Sequence, residues 1–264
     1  MTWLSAALLG VVQGLTEFLP VSSSAHLILA RAFFGWNAEQ QFGEAFDVAC
    51  HVGTLVAVFA FFHADIAATI RALPQAFSPS AGVEGRRIRY IAIGTMPIVI
   101  AGVLFDREAV STPLVAAIAL LVGAAFLLVI EHWGPRGRGE EALTPAGALG
   151  IGLAQAAALV PGVSRSGATI ATGMAFGLTR EAAARFTFLL SVPAIMAAAA
   201  KEALKIGAMT SEQIVLFGIG MTTSAIVGYV TVRFFIRFLT SHRLDVFAWY
   251  RVALAAATFI WLAL

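Results

Sequence analysis

Pro161-Gly162-Val163-Ser164-Arg165-Ser166-Gly167-Ala168-Thr169 interrupts an apolar region that runs from residue 143 to 178. A proline and two glycines stop a helix, and neither apolar half keeps the roughly 20 residues needed to cross a hydrocarbon core about 30 Å thick. A second apolar region, 3 to 36, is cut the same way by Pro20-Val21-Ser22-Ser23-Ser24. At a constant offset of 142, Gly10 falls on Gly152, Gln13 on Gln155, Val21 on Val163, Ser22 on Ser164, Ser24 on Ser166 and Phe46 on Phe188. Two repeats follow, about 1–132 and about 143–264, in a single membrane domain over 1–264, each opening on a re-entrant pair of half-helices (3–36 and 143–178).

Outward from the breaks, continuous apolar runs predict full spans near 43–63, 88–105, 112–131, 183–200, 212–233 and 246–264. They do not alternate with period two, which sets aside a β-barrel. With 59% hydrophobic and 12% charged residues among 264, the chain has about half the charge of a soluble domain, so soluble and disordered classes are excluded. The single cysteine, Cys50, excludes an intramolecular disulfide and a thiolate metal site. A dispersed net charge of +2 offers nothing to nucleic acid. The first charged residue is Glu17, with no basic segment before it, so no cleavable signal is expected.

Three full spans per repeat is an odd number, so the second repeat should be inverted relative to the first, bringing two discontinuous helices together near the midplane. The expected fold is an all-α polytopic membrane protein of two inverted repeats, each a re-entrant broken helix pair followed by three transmembrane helices. Under this plan the linkers 64–87, 132–142, 179–185 and 233–245, with Arg89, hold 11 basic residues, against 4 on the other side (Arg31, Arg107, Lys201, Lys205). The positive-inside rule then puts those linkers in the cytoplasm and both termini outside.

Gln13-Gly14-Leu15-Thr16-Glu17 ends the first half-helix, and the i, i+4 spacing puts Gln13 and Glu17 on one face. A carboxylate at membrane depth is a functional hypothesis by default, its rival being a structural partner for a buried base. After Pro20, Ser22-Ser23-Ser24-Ala25-His26 opens the next helix. Serines there serve as N-caps, while His26, three and four residues beyond Ser23 and Ser22, shares a face with one of them. Serine, histidine and glutamate in one broken helix supply a nucleophile and acid–base partners.

The second break offers phosphate a different set. Gly162 and Gly167 let backbone approach an anion, and Ser164, Ser166 and Thr169 bring hydroxyls. The following helix directs its N-terminal N–H groups and dipole at negative charge. Arg165 adds a planar fork that stays charged. No Gly-Lys-Ser/Thr of a Walker loop is present. Were Arg165 instead a structural partner of Glu17, the two breaks would still be in contact. Glu44, Asp47 and His51, at i, i+3 and i+7, read as a hydrogen-bonded structural stripe ahead of a metal or proton path. Arg185, at the start of a span, either reaches phosphate or snorkels.

Gln13 through His26, together with Pro161 through Thr169, closely resembles the undecaprenyl-diphosphate phosphatase family of bacterial inner membranes. Glu181-Ala182-Ala183-Ala184-Arg185-Phe186-Thr187-Phe188-Leu189-Leu190-Ser191-Val192-Pro193 extends the resemblance over essentially the whole chain. The resemblance implies hydrolysis of undecaprenyl diphosphate to the monophosphate and inorganic phosphate, recycling the lipid carrier of cell-wall synthesis. It implies a divalent cation, Mg2+ or Ca2+, and an active site open toward the periplasm. The partners are then the polyprenyl diphosphate and membrane lipids, without nucleic acid, and a homo-oligomer is compatible with this reading.

Catalysis is expected from Glu17, Ser23, His26 and Arg165, phosphate binding from Ser22, Gly162, Ser164, Arg165, Ser166, Gly167 and Thr169, and cation binding from Glu17 and Gln13. Two positions depart from the family pattern: Gln13 stands where many members carry Glu, and Ser24-Ala25-His26 where Thr-Gly-His is common. Ser23 attacking with His26 as base, His26 attacking directly, and water activated by Glu17 are the three orders of events. The rival class is a secondary transporter or lipid flippase for an anionic substrate, since broken inverted repeats also build transporters.

Overall fold

The computed structural model describes residues 1–36, 40–78, 81–106, 108–135, 137–204 and 209–264. Arg107, Arg136 and Lys205 of the charge distribution lie outside the described residues. The described chain is all-helical: α1 Trp3–Thr16, α2 Ser23–Phe34, α3 Gln40–Phe61, α4 His63–Arg71, α5 Val83–Leu104, α6 Pro113–Trp133, α7 Pro145–Ala157, α8 Arg165–Ala175, α9 Arg180–Ala203, α10 Ser211–Leu239 and α11 Asp245–Ala263. Six of these, α3, α5, α6, α9, α10 and α11, are long and apolar enough to cross a membrane. They are the six expected spans.

The half-helices stop where the sequence breaks. With 14 residues in α1 and 13 in α7, each rises about 20 Å, short of a full crossing. Adding 142 to α1 (3–16) gives 145–158 and to α2 (23–34) gives 165–176, which matches α7 and α8 to within a residue. The α1 start is closed by a capping box between Thr2 and Ser5, and the α7 start by the Thr144 hydroxyl with Pro145 in the first turn.

Two differences from the expected spans have local causes. The helix α5 starts at Val83, ahead of its predicted 88, because its charged first turns are neutralised. Arg87 forks onto Glu140 at 2.5 and 2.8 Å and reaches the Thr69 hydroxyl, while Arg89 donates to the Ala76 carbonyl. Within the linker 64–87 lies the short helix α4, which has no buried residue and which no apolar pattern announces.

The four basic linkers meet on one face. Arg185 pairs with Asp65 at 3.2 Å, Arg87 with Glu140, and both Arg180 and Arg243 with the buried Glu131. Arg138 N–H donates to the Gly177 carbonyl at 3.1 Å, so the exit of α8 sits beside the entry of α7 on this face. The first pair associates instead with the far ends of other helices: Ala6, Leu9 and Leu27 pack with Phe46, Cys50 and Leu216. Close helix crossings hold both pairs. A Cβ at Gly10 would come within 2.6 Å of the Gly220 carbonyl on α10, and one at Gly152 within 2.5 Å of the Gly94 carbonyl on α5. Such small-residue contacts are how helices associate in lipid. Phe188 anchors an aromatic core beside the first break, with Phe18, Phe62 and Phe235 at 5.4, 6.0 and 6.2 Å between ring centroids.

Candidate active site

Both breaks turn on a serine in a backbone conformation that L-residues seldom adopt: Ser22 at φ 72° and Ser164 at φ 71°. Such positions cost about 1–3 kcal/mol and gather at functional sites. Each serine stays because its hydroxyl closes the next helix, Ser22 Oγ accepting from Ala25 N–H at 3.4 Å and Ser164 Oγ from Gly167 N–H at 3.1 Å.

The breaks are bonded to each other. Gly162 N–H donates to Ser22 Oγ at 3.1 Å, and the Ser166 hydroxyl donates to the Leu19 carbonyl at 2.9 Å. Gly162 has φ 104°, and a Cβ there would sit 2.4 Å from the Ala116 carbonyl, so glycine is required twice over. From α11, the fully buried Arg251 fastens both: Nη2 donates to the Gly162, Val163 and Ala119 carbonyls at 2.9, 3.0 and 3.3 Å, and Nη1 reaches the Pro20 carbonyl at 3.5 Å.

Between the breaks, Glu17 is the centre of a polar cluster. Its Oε2 accepts from Ser23 Oγ at 2.7 Å and from Gln13 Nε2 at 2.8 Å, and lies 3.5 Å from His51 Nε2. Its Oε1 faces Arg165 Nη2 at 3.9 Å. Glu17, Ser23, His51 and Arg165 line a cavity of about 470 Å³, as do Ser22, Ser24, Ser164 and Ser166. Apolar side chains of α5 and α9, Ile98, Val99 and Val103 facing Ala194, Ile195 and Ala198, form another wall. Both helices start at the basic-linker face and reach this wall with their far halves, so the cavity opens away from the linkers.

Glu17, Ser23 and Arg165, expected to act together, are thus brought together. Gln13 is fully buried and turns its amide nitrogen, not its oxygen, toward Glu17. Other expected residues have their polar groups committed within or between the breaks, the Ser22, Ser164 and Ser166 hydroxyls among them. Gly162 and Gly167 spend their N–H groups on Ser22 and Ser164, and Thr169 donates back to the Arg165 carbonyl at 2.6 Å. His26 does not pair with Ser23: its Nδ1 lies 2.8 Å from the Ser22 carbonyl and its Nε2 2.8 Å from the Tyr250 hydroxyl, with the two rings stacked. The i, i+3 spacing gave a shared helix face, but the acceptor for Ser23 comes from the preceding half-helix. Arg185 pairs with Asp65 and covers the Phe62 ring, away from the cavity.

Two further residues at the breaks, His51 and Arg251, stand outside the expected site. For Arg251 the signal was there, an arginine in the middle of an apolar span. For His51 it was the stripe with Glu44 and Asp47, whose direction no spacing reveals.

A family model described as bacitracin resistance protein BacA matches residues 6–257. The chain is 46% identical over 261 residues to a protein of Rubrobacter xylanophilus named undecaprenyl-diphosphatase, covering 96% of each chain. It is 41% identical to one of that name from Alcanivorax borkumensis, covering 100% of both, and 39% identical to one from Pelotomaculum thermopropionicum, covering 98% of this chain and 97% of that one. With the model matching nearly end to end and full-length relatives agreeing, the chain belongs to the bacitracin resistance protein BacA family.

Proposed function

We infer that the protein hydrolyses undecaprenyl diphosphate to undecaprenyl phosphate and inorganic phosphate, the activity its relatives' names state. The observation that carries this reading is the Ser23–Glu17 hydrogen bond of 2.7 Å facing Arg165 across one cavity. An anion carrier needs the arginine but has no use for a hydroxyl held against a carboxylate base.

In this reading the diphosphate lies against Arg165 and the N-terminal end of α8, whose dipole favours the anion. Ser23 Oγ attacks the terminal phosphorus while its proton passes to Glu17. The bond from that phosphorus to the bridging oxygen breaks, and undecaprenyl phosphate leaves with the bond's electron pair. Water then attacks the phosphoserine, giving a proton to Glu17 as Ser23 Oγ regains one, and phosphate departs. The Arg165 fork stabilises charge spread over the transferred oxygens. His26, tied to Tyr250 and Ser22, shapes the first break in place of taking the Ser23 proton. The slot between α5 and α9 offers the prenyl chain an apolar path to lipid.

The resemblance also implies Mg2+ or Ca2+, and the donor set suits one cation of this kind. Among the described residues no three of His, Cys, Asp and Glu converge, so an ion held here would draw most of its coordination from water and phosphate oxygens. Glu17 would hold it, with Gln13 fixing the carboxylate, and it would supply charge neutralisation at the phosphoryl oxygens. The shared face of the basic linkers, opposite the cavity mouth, supports two inverted repeats in a bacterial inner membrane with the site open to the periplasm.

Release of phosphate from undecaprenyl diphosphate by purified protein in detergent, with no second compartment, tests the enzyme reading against a transporter or flippase. Release that Glu17→Gln abolishes is expected. Absence of release from folded wild-type protein would move the assignment to transport.

A further inference from the structure

His51, on α3, reaches the polar cluster around Glu17 and lines the same cavity. Its Nδ1 lies 2.7 Å from the Asp47 carbonyl oxygen. A carbonyl only accepts, so Nδ1 carries a proton, which leaves Nε2 as the ring atom able to bind a cation. Nε2 faces Glu17 Oε2 at 3.5 Å on the cavity wall. Asp47, whose carbonyl orients the ring, is clamped by Arg31 through bonds of 2.9 and 2.5 Å. Nε2 and the Glu17 carboxylate thus turn toward one point on the cavity wall.

A ring locked through Nδ1–H on a backbone carbonyl, with Nε2 free, is the way metal-bound histidines are held. The 3.5 Å separation leaves both atoms within reach of one divalent ion. Gln13 does not compete for this place, because its amide nitrogen points at Glu17 and it does not line the cavity.

We propose that His51 Nε2 and the Glu17 carboxylate are the protein ligands of the divalent cation, with Gln13 orienting the carboxylate from behind. This rests on the reading of Glu17 as the cation site and deepens it. Mn2+, which accepts mixed nitrogen and oxygen sets, is a suitable spectroscopic probe of such a site.

The experiment is titration of the purified full-length protein in detergent with Mn2+ and no substrate, followed by electron spin echo envelope modulation, which detects a directly ligated imidazole nitrogen. Nitrogen modulation is expected in wild type and lost in His51→Gln, whose Mn2+ Kd rises about tenfold or more. Bound Mn2+ without nitrogen modulation, with an affinity that Glu17→Gln lowers, would overturn the role of His51 and leave the cation at Glu17. Modulation that persists in His51→Gln would also overturn it. Binding that Glu17→Gln leaves unchanged, or no binding at all, would overturn both readings. The wild-type spectrum suffices to decide against His51, so the result does not depend on how well a variant folds.

Discussion

Ser22 and Ser164 stand 142 residues apart with φ of 72° and 71°, cap the following helix with the same hydroxyl, and each lie 3.3 Å from the serine two positions on. Around that shared backbone the side chains have separated. At the same offset, Ser23 stands where Arg165 does, Glu17 where Leu159 does, His26 where Ala168 does and Pro20 where Gly162 does. The last pair makes the cross-link one-sided. Gly162 N–H bonds Ser22 Oγ, whereas proline has no N–H to return to Ser164. Even the paired glutamines differ: Gln13 serves Glu17, while Gln155 donates to the Gly94 carbonyl at 3.4 Å. The repeated backbone builds the cradle twice, and divergence puts Glu17 and Ser23 on one side of it and Arg165 on the other.

Removing the chemistry from one break at a time tests this division. Ser23→Ala should lose about a thousandfold or more in kcat, the usual cost of deleting a nucleophile. Acid quenching wild type during turnover with labelled diphosphate should leave acid-stable label on the Ser23 peptide. Acid-labile label on His26 would restore direct attack by His26, and absence of covalent label would move the weight to water activated by Glu17.

Arg165→Lys keeps the charge and loses the fork. It should cost about 2–4 kcal/mol of transition-state stabilisation, read as kcat/KM, by analogy with deleting an oxyanion donor. Near-normal turnover would reduce Arg165 to long-range attraction.

The cradle itself is tested by Arg251→Met, which leaves the Pro20, Gly162 and Val163 carbonyls without their buried donor. Thermal unfolding in detergent should show a loss of about 2–4 kcal/mol. An unchanged Tm would mean that the Ser22–Gly162 and Ser166–Leu19 bonds alone hold the breaks together. The smallest effect separates the glutamines. Gln13→Leu should lower kcat about tenfold, as for other residues that orient a ligand group. Gln155→Leu should leave kcat alone and change stability by about 1 kcal/mol. Equal kinetic effects would erase the functional difference between them.

The two proline breaks, the six spans and the offset of 142 were written in the chain because each is a local property. An apolar run of a given length either spans or does not, and a proline set among glycines or serines marks a helix end, whereas Pro97 and Pro193, alone in apolar runs, stay inside α5 and α9. Glu17, Ser23 and Arg165 were legible for the related reason that polar groups at membrane depth are too costly to be incidental. What tertiary structure decided was partnership. Spacing alone put His26 beside Ser23, but a side chain only 2.8 Å from Tyr250 on α11 is held by a residue 224 positions away. His51 and Arg251 became part of the site because α3 and α11 pack against breaks formed elsewhere in the sequence, and such contacts depend on how helices cross, not on any local pattern.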